Sequence, residues 1–177
     1  LGYFVKTFGK SALLIAHPED VCRVKSQLIQ TAETYQITFV TGDFCGECSR
    51  EEVARLKKLA AENECTCTIG LGGGKAIDTA KCVAEGKNLI VVPTIAATDA
   101  PTSHSAVLYT AEGAFDDYAY FPQSPSVVLV DTKIIAQAPV RFLVSGMGDA
   151  LSTYFEARAN VRSNSAVNAG LPCGVRE

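Results

Sequence analysis

Long apolar runs and an excess of charge of either sign are missing from this sequence, and histidine is scarce. No apolar stretch approaches the ~20 residues that span a bilayer, which argues against a membrane-inserted protein. Sixteen Lys and Arg stand against 19 Asp and Glu, and the net charge of -3 offers no basic surface for nucleic acid or an anionic membrane. No leader pattern opens the sequence: Leu1 runs directly into a short mixed segment with Lys6 and Lys10. The expectation is a cytoplasmic protein with no nucleic-acid and no membrane partner. Internal repeats and low-complexity tracts are missing too. Histidine occurs only as His17 and His104, and both read as partly exposed loop residues rather than metal ligands.

What is present is enough to build a core. The chain has 177 residues, 47% hydrophobic and 20% charged, a length of about one domain or slightly more. Its seven cysteines are odd in number and the chain is not small, so they read as reduced thiols rather than a disulfide framework. Cys45-Gly46-Glu47-Cys48 lacks a zinc-ribbon context, and Cys65 and Cys67 read as alternating on one face of a strand. The sequence starts without Met, and it stops at Leu171–Glu177 after a helical pattern has run out. A piece of a longer protein is expected.

The hydrophobic pattern alternates between strands and helices. Strands are predicted at Ala12–Ala16, Ile37–Val40, Cys65–Leu71 and Leu89–Val92, with a further buried strand at Val127–Val130. Between them lie a helix over 19–33 after Pro18, a helix opened by the capping-box spacing Ser49-Arg50-Glu51-Glu52, and a helix from Gly74 to Glu85. Residues 94–126 look less regular. From Ala138 the period is helical through Val140, Leu143, Val144, Met147, Leu151, Tyr154 and Phe155. The predicted fold is α/β: a Rossmann-like parallel sheet with helices on both faces, then the start of a truncated all-helical domain. The boundary falls so that 1–138 is the α/β domain and 139–177 begins the helical one.

Gly70-Leu71-Gly72-Gly73-Gly74-Lys75 lies between a strand and a helix. Bare backbone there lets a ligand approach, and the helix N-terminus attracts phosphate oxygens. Lys75 adds charge, or pairs with Asp78 one turn on. The same glycines also suit a tight turn without a ligand. The usual dinucleotide fingerprint follows the first strand, with an acid ~20 residues later. Here the turn follows the third strand, and that distance reaches Val91-Val92-Pro93, so a variant of the Rossmann type is expected.

The loop Pro93–Ser103 emerges at the carboxyl edge of the sheet, with hydroxyls suited to a ribose or carboxamide and Asp99 as its acid. Asp99 either faces a ligand or holds a turn. Ser145-Gly146-Met147-Gly148-Asp149 interrupts an apolar helical stretch. Asp149 either caps a helix restart or offers a carboxylate to a metal.

Several segments together resemble one family. They are Gly72-Gly73-Gly74-Lys75 with Asp78-Thr79-Ala80-Lys81, Pro93-Thr94-Ile95-Ala96 with Thr98-Asp99-Ala100-Pro101, Phe121-Pro122, Val130-Asp131-Thr132-Lys133 and Gly146-Met147-Gly148-Asp149-Ala150-Leu151. From about Leu1 to about Gly170 the sequence is similar to the glycerol dehydrogenases of the metal-dependent, iron-type alcohol dehydrogenase superfamily. The resemblance implies an NAD-linked oxidation of glycerol to dihydroxyacetone, with zinc between an N-terminal dinucleotide-binding domain and a C-terminal helical domain, in a homo-oligomer. It places Gly72, Gly73, Lys75, Thr94, Ala97, Ser103, Ser105 and Tyr109 at the cofactor, Asp99 at the polyol substrate and Asp149 at the zinc. Ala97 stands where Ser is common, and Ser105 where Leu is common. His17 takes the place of an Asp near the adenosine ribose, and His104 that of a small residue. The family completes its zinc site with two C-terminal-domain histidines absent from this sequence, so the zinc site is expected to be incomplete here. The alternatives are an NAD-binding module without catalysis, or a related alcohol or glycerol-phosphate dehydrogenase.

Overall fold

The computed structural model describes residues 1–163, together with the backbone of the short antiparallel pairing of Val167–Asn168 with Leu171–Pro172. Cys173 and the rest of 164–177, which the sequence reading gives to the opening of a helical domain, lie outside the described residues. In chain order the first half contains α1 (Gly2–Phe8), β1 (Ser11–Ala16), α2 (Pro18–Arg23), α3 (Lys25–Tyr35), β2 (Thr38–Asp43), α4 (Arg50–Glu62) and β3 (Cys67–Gly72). The second half contains α5 (Gly74–Ala84), β4 (Leu89–Pro93), β5 (Ser105–Tyr109), β6 (Phe115–Tyr120), β7 (Val127–Val128), α6 (Thr132–Ala136) and α7 (Val140–Ser163).

A five-stranded, wholly parallel sheet in the order β2-β1-β3-β4-β7 forms the centre. Alternate side chains of each strand point to opposite faces, and both faces are covered, as a parallel sheet requires. Leu13, Ile15, Leu89 and Val91 pack beneath α4 and α5 with Leu56, Ile77 and Ala80. Ala12, Leu14, Ile69, Ile90 and Val92 pack on the other side with Val5, Val24, Leu28 and Ile134 from α1, α3 and α6 and their flanks. Leu13, Leu14, Ile15, Ile69 and Ile90 are fully buried, each worth about 1.5–3 kcal/mol of transfer free energy.

Several elements differ from the sequence reading. The predicted 19–33 helix is two, because the backbone of Val24 leaves helical geometry (φ -109°, ψ 13°) as its side chain packs into the core. Ser49 caps α4 by accepting the Glu52 N–H at 3.2 Å, but Glu52 turns its carboxylate to Arg55 at 2.7 Å, so only half of the capping box forms. Cys65 precedes β3, after Glu64 with φ 49°, and packs towards α4 and α5 while Cys67 faces the opposite core; the two do not share a face. The predicted strand at Val127–Val130 shortens to Val127–Val128 at the sheet edge, where it is half-buried. Residues 94–126 contain an antiparallel hairpin of β5 and β6. Its outer strand is mostly exposed, so it carries no apolar alternation to read.

The 24 residues of α7 run without a break through Gly146 and Gly148. Asp149 is therefore mid-helix and is not the cap of a restart. No helix of the described residues is long and apolar enough to cross a membrane. The apolar positions of α7 are exposed, with Val140 and Met147 at 73% and 65%. What attaches the helix is a close backbone approach: a Cβ on Gly146 would overlap the Ala96 carbonyl, whereas one on Gly148 would meet nothing within 4 Å. Gly146→Val is expected to lose about 1–3 kcal/mol in urea unfolding through overpacking, and Gly148→Ala to gain a few tenths to about 1 kcal/mol from helix propensity. Equal effects from the two would contradict this docking.

Candidate functional site

The strand order reverses direction between β1 and β3, and open α/β sheets bind ligands outside the carboxyl ends at such a reversal. The glycine turn stands there because β3 borders this crevice together with β1, the first strand. Gly72 ends β3 with φ 150°, a conformation that favours glycine, and a Cβ on it would stand 3.0 Å from the Ala76 Cβ. Gly73 is the N-cap of α5 and offers no capping side chain. The first-turn N–H groups of an 11-residue helix are thus left without side-chain caps at the crevice, where the helix end is positive. Lys75, in that turn, reaches Glu47 and not Asp78. Asp78 pairs instead with Lys81 at 3.1 Å.

The loop after β4 packs across the glycine turn. The Thr94 N–H, itself buried, donates to the Gly72 carbonyl at 3.0 Å, and a Cβ on Gly73 or Gly74 would meet Ile95 at 3.0 Å or Thr98 at 3.5 Å. Further on, the Asp99 carbonyl accepts from the N–H groups of Thr102 (2.9 Å) and Ser103 (3.3 Å) and from the Thr102 hydroxyl (3.1 Å). The turn is held by this carbonyl, while the Asp99 carboxylate is exposed and takes no part in these bonds. Ala97 lies half-buried in the same loop.

Across this loop lies Asp149. Its Oδ2 accepts the backbone N–H of Asp99 at 3.0 Å, which brings together the two acids singled out from the sequence, 50 residues apart. Ser103 and Ser105 share a hydroxyl contact of 3.0 Å beside Lys81, and the Tyr109 N–H donates to the Cys48 carbonyl at 2.9 Å. His17 caps α2, its Nδ1 accepting the Glu19 N–H at 3.3 Å, and the His104 carbonyl accepts from Phe121 at the base of the hairpin. Among the described residues no cluster of three His, Cys, Asp or Glu could hold a metal. Asp149 alone does not make such a site, since about three protein ligands are usual.

The sequence assigns no role to three residues of the site. Asp20 has its Oδ2 3.7 Å from where a Gly72 Cβ would stand; burial holds its carboxyl above the ordinary range, against the pull of Arg23 at 3.4 Å. Glu47 pairs with the exposed Lys75. Lys81 is buried to 2% exposure. The Asp78–Lys81 spacing of three on a helix was a readable signal of pairing, but burial of the pair was not.

The cysteines form no bridge among the described residues. Burial pushes the Cys67 thiol up to about 12, and a hydrogen bond from Cys82 holds Cys48 below its ordinary value. Cys48 is nonetheless wholly buried. In alkylation of the native protein at neutral pH, Cys22 and Cys45 should label first, and Cys48, Cys67 and Cys82 only on unfolding. Labelling of Cys67 as fast as Cys45 would contradict the burial pattern.

The sequence model of the iron-containing alcohol dehydrogenases matches residues 1–132. A glycerol dehydrogenase of Pseudomonas putida is 45% identical over 174 residues, covering 97% of this chain and 48% of that protein. One from Thermotoga maritima is 56% identical over 118 residues, 66% of this chain and 32% of its own length. The crystal structure of glycerol dehydrogenase from Schizosaccharomyces pombe superposes with a TM-score of 0.84 at 36% identity, covering 98% of this chain and 44% of that one. This chain therefore spans about half the length of the relatives it matches over nearly all its own residues. Sheet order, glycine turn and matched sequence agree: the chain belongs to the iron-containing alcohol dehydrogenase family.

Proposed function

We propose that this chain is the dinucleotide-binding part of an NAD-dependent polyol dehydrogenase that oxidises glycerol to dihydroxyacetone. The observation that carries the reading is the uncapped N-terminus of α5 behind Gly72–Gly74, facing a loop that presents an exposed Asp99. The names of the Pseudomonas and Thermotoga relatives support glycerol as the substrate. We place the domain boundary at 138/139, with α7 opening a helical domain.

The backbone N–H groups of Gly73, Gly74 and the first turn of α5 hold the pyrophosphate, with Lys75 adding a positive charge beside Glu47. Thr94 keeps the β4 loop seated on the glycine turn through its bond to Gly72. The loop backbone at Ala97 and the polar groups of Ser103, Ser105 and Tyr109 orient the nicotinamide half. Asp99 accepts a hydrogen bond from a substrate hydroxyl. NAD, when bound, would supply the hydride acceptor for the carbinol carbon while the hydroxyl proton leaves to solvent, and the protein's part would be to orient that carbon. Asp149 contributes one carboxylate towards a zinc centre, which this chain's described residues do not complete.

That incompleteness supports a second reading for the chain by itself, a dinucleotide-binding module without turnover. Titration with NADH followed by a glycerol oxidation assay with added zinc tests both. Binding without turnover is expected. Gly73 has an ordinary φ of -88°, and a Cβ there needs only the flexible end of the Ile95 side chain at 3.0 Å to give way, so Gly73→Ala should keep the fold and raise the NADH Kd at least about tenfold. Absence of NADH binding by the unmodified chain would overturn the proposal, and turnover by the isolated chain would overturn the module reading.

A further inference from the structure

Lys81 is the largest of the fully buried side chains, and a lysine that is 2% exposed needs partners for its ammonium. It has three. Its Nζ donates to Asp78 Oδ1 at 3.1 Å, to the Ser105 carbonyl at 2.7 Å and to Ser103 Oγ at 3.5 Å. The other oxygen of Asp78 accepts the Val107 N–H at 3.1 Å. Burial pushes the Asp78 carboxyl up, and Lys81 and the Val107 N–H draw it back. One turn of α5 thereby grips positions 103, 105 and 107. In an antiparallel pair these alternate positions lie along one edge, and here β6 occupies the other.

The geometry of α5 makes this more than a packing contact. The same helix carries the glycine turn at its N-terminus, five residues before Asp78, and a short helix is rigid. An apolar pair of similar volume would be as stable or more stable than a buried ion pair. It could not bond the Ser105 carbonyl or the Val107 N–H. We infer that Asp78 and Lys81 are positioning residues that register the Ser103–Tyr109 segment against the phosphate turn, so that the two ends of one dinucleotide are bound at a set separation. This rests on the dinucleotide reading above.

The test compares NADH with ADP-ribose, which keeps the pyrophosphate and lacks the nicotinamide. In Asp78→Leu/Lys81→Met the fold should be retained with a somewhat lower thermal midpoint, because the Ser105 carbonyl and the Val107 N–H lose their partners. The ADP-ribose Kd should stay within about twofold of wild type while the NADH Kd rises about tenfold, the scale of one or two lost hydrogen bonds. If the double variant does not fold, Lys81→Met alone, which removes the bonds to Ser103 and Ser105, must show the same split between the ligands. Parallel loss of both affinities would mean a purely structural role and would overturn the inference, as would an unchanged NADH Kd. A wild type that binds neither ligand would overturn the dinucleotide reading itself, and this inference with it.

Discussion

A parallel sheet buried on both faces can be approached by a ligand only at its ends. With α1, α3 and α6 on one side and α4 and α5 on the other, the faces of β1, β3 and β4 are closed. The carboxyl edge stays open where the chain reverses between β1 and β3, since the two following connections leave in opposite directions. Gly72 and the start of α5 leave from one side of that opening, and His17, Pro18 and Asp20 from the other.

α5 ties the crevice to its surroundings. Its first turn is uncapped and faces the opening, while its second and third turns carry the Asp78–Lys81 pair that holds β5. The β4 loop lies on the glycine turn through Thr94 and Ile95, and α7 lies on that loop through Gly146 and the Asp149–Asp99 hydrogen bond. Each of these contacts involves backbone at close range. Glycines therefore recur where elements meet, not only where a ligand would sit.

The exposed apolar positions of α7 contrast with the closed core of the sheet. The chain spans about half the length of its relatives, and α7 follows the residues 1–132 that the family model matches. Asp149 is held by the Asp99 N–H on the rim of the crevice, and among the described residues no group of three metal-ligating side chains includes it. On the proposed reading, cofactor recognition is concentrated in this chain, and the metal centre is only begun.

Local pattern was sufficient for much of the architecture. The apolar runs at 12–16 and 89–92, the amphipathic spacing of α4 and α5, and Gly72–Gly74 between strand and helix named the parallel α/β fold and located the turn, because each is a short-range property of consecutive residues. The same was not true of partners. Lys75 had Asp78 within one turn and found Glu47, 28 residues away, and the β5–β6 hairpin hid in a polar segment with one solvent-facing strand. That Asp149 would stand mid-helix against Asp99, or that Lys81 would be buried with all three ammonium hydrogens placed, depended on how α7 and β5 pack against the sheet's edge. Sequence by itself determined most of the elements and the glycine turn, through periodicity and backbone preference. Tertiary structure alone decided which charges meet, because a charge buried by distant elements must take whatever partner the packing brings within reach.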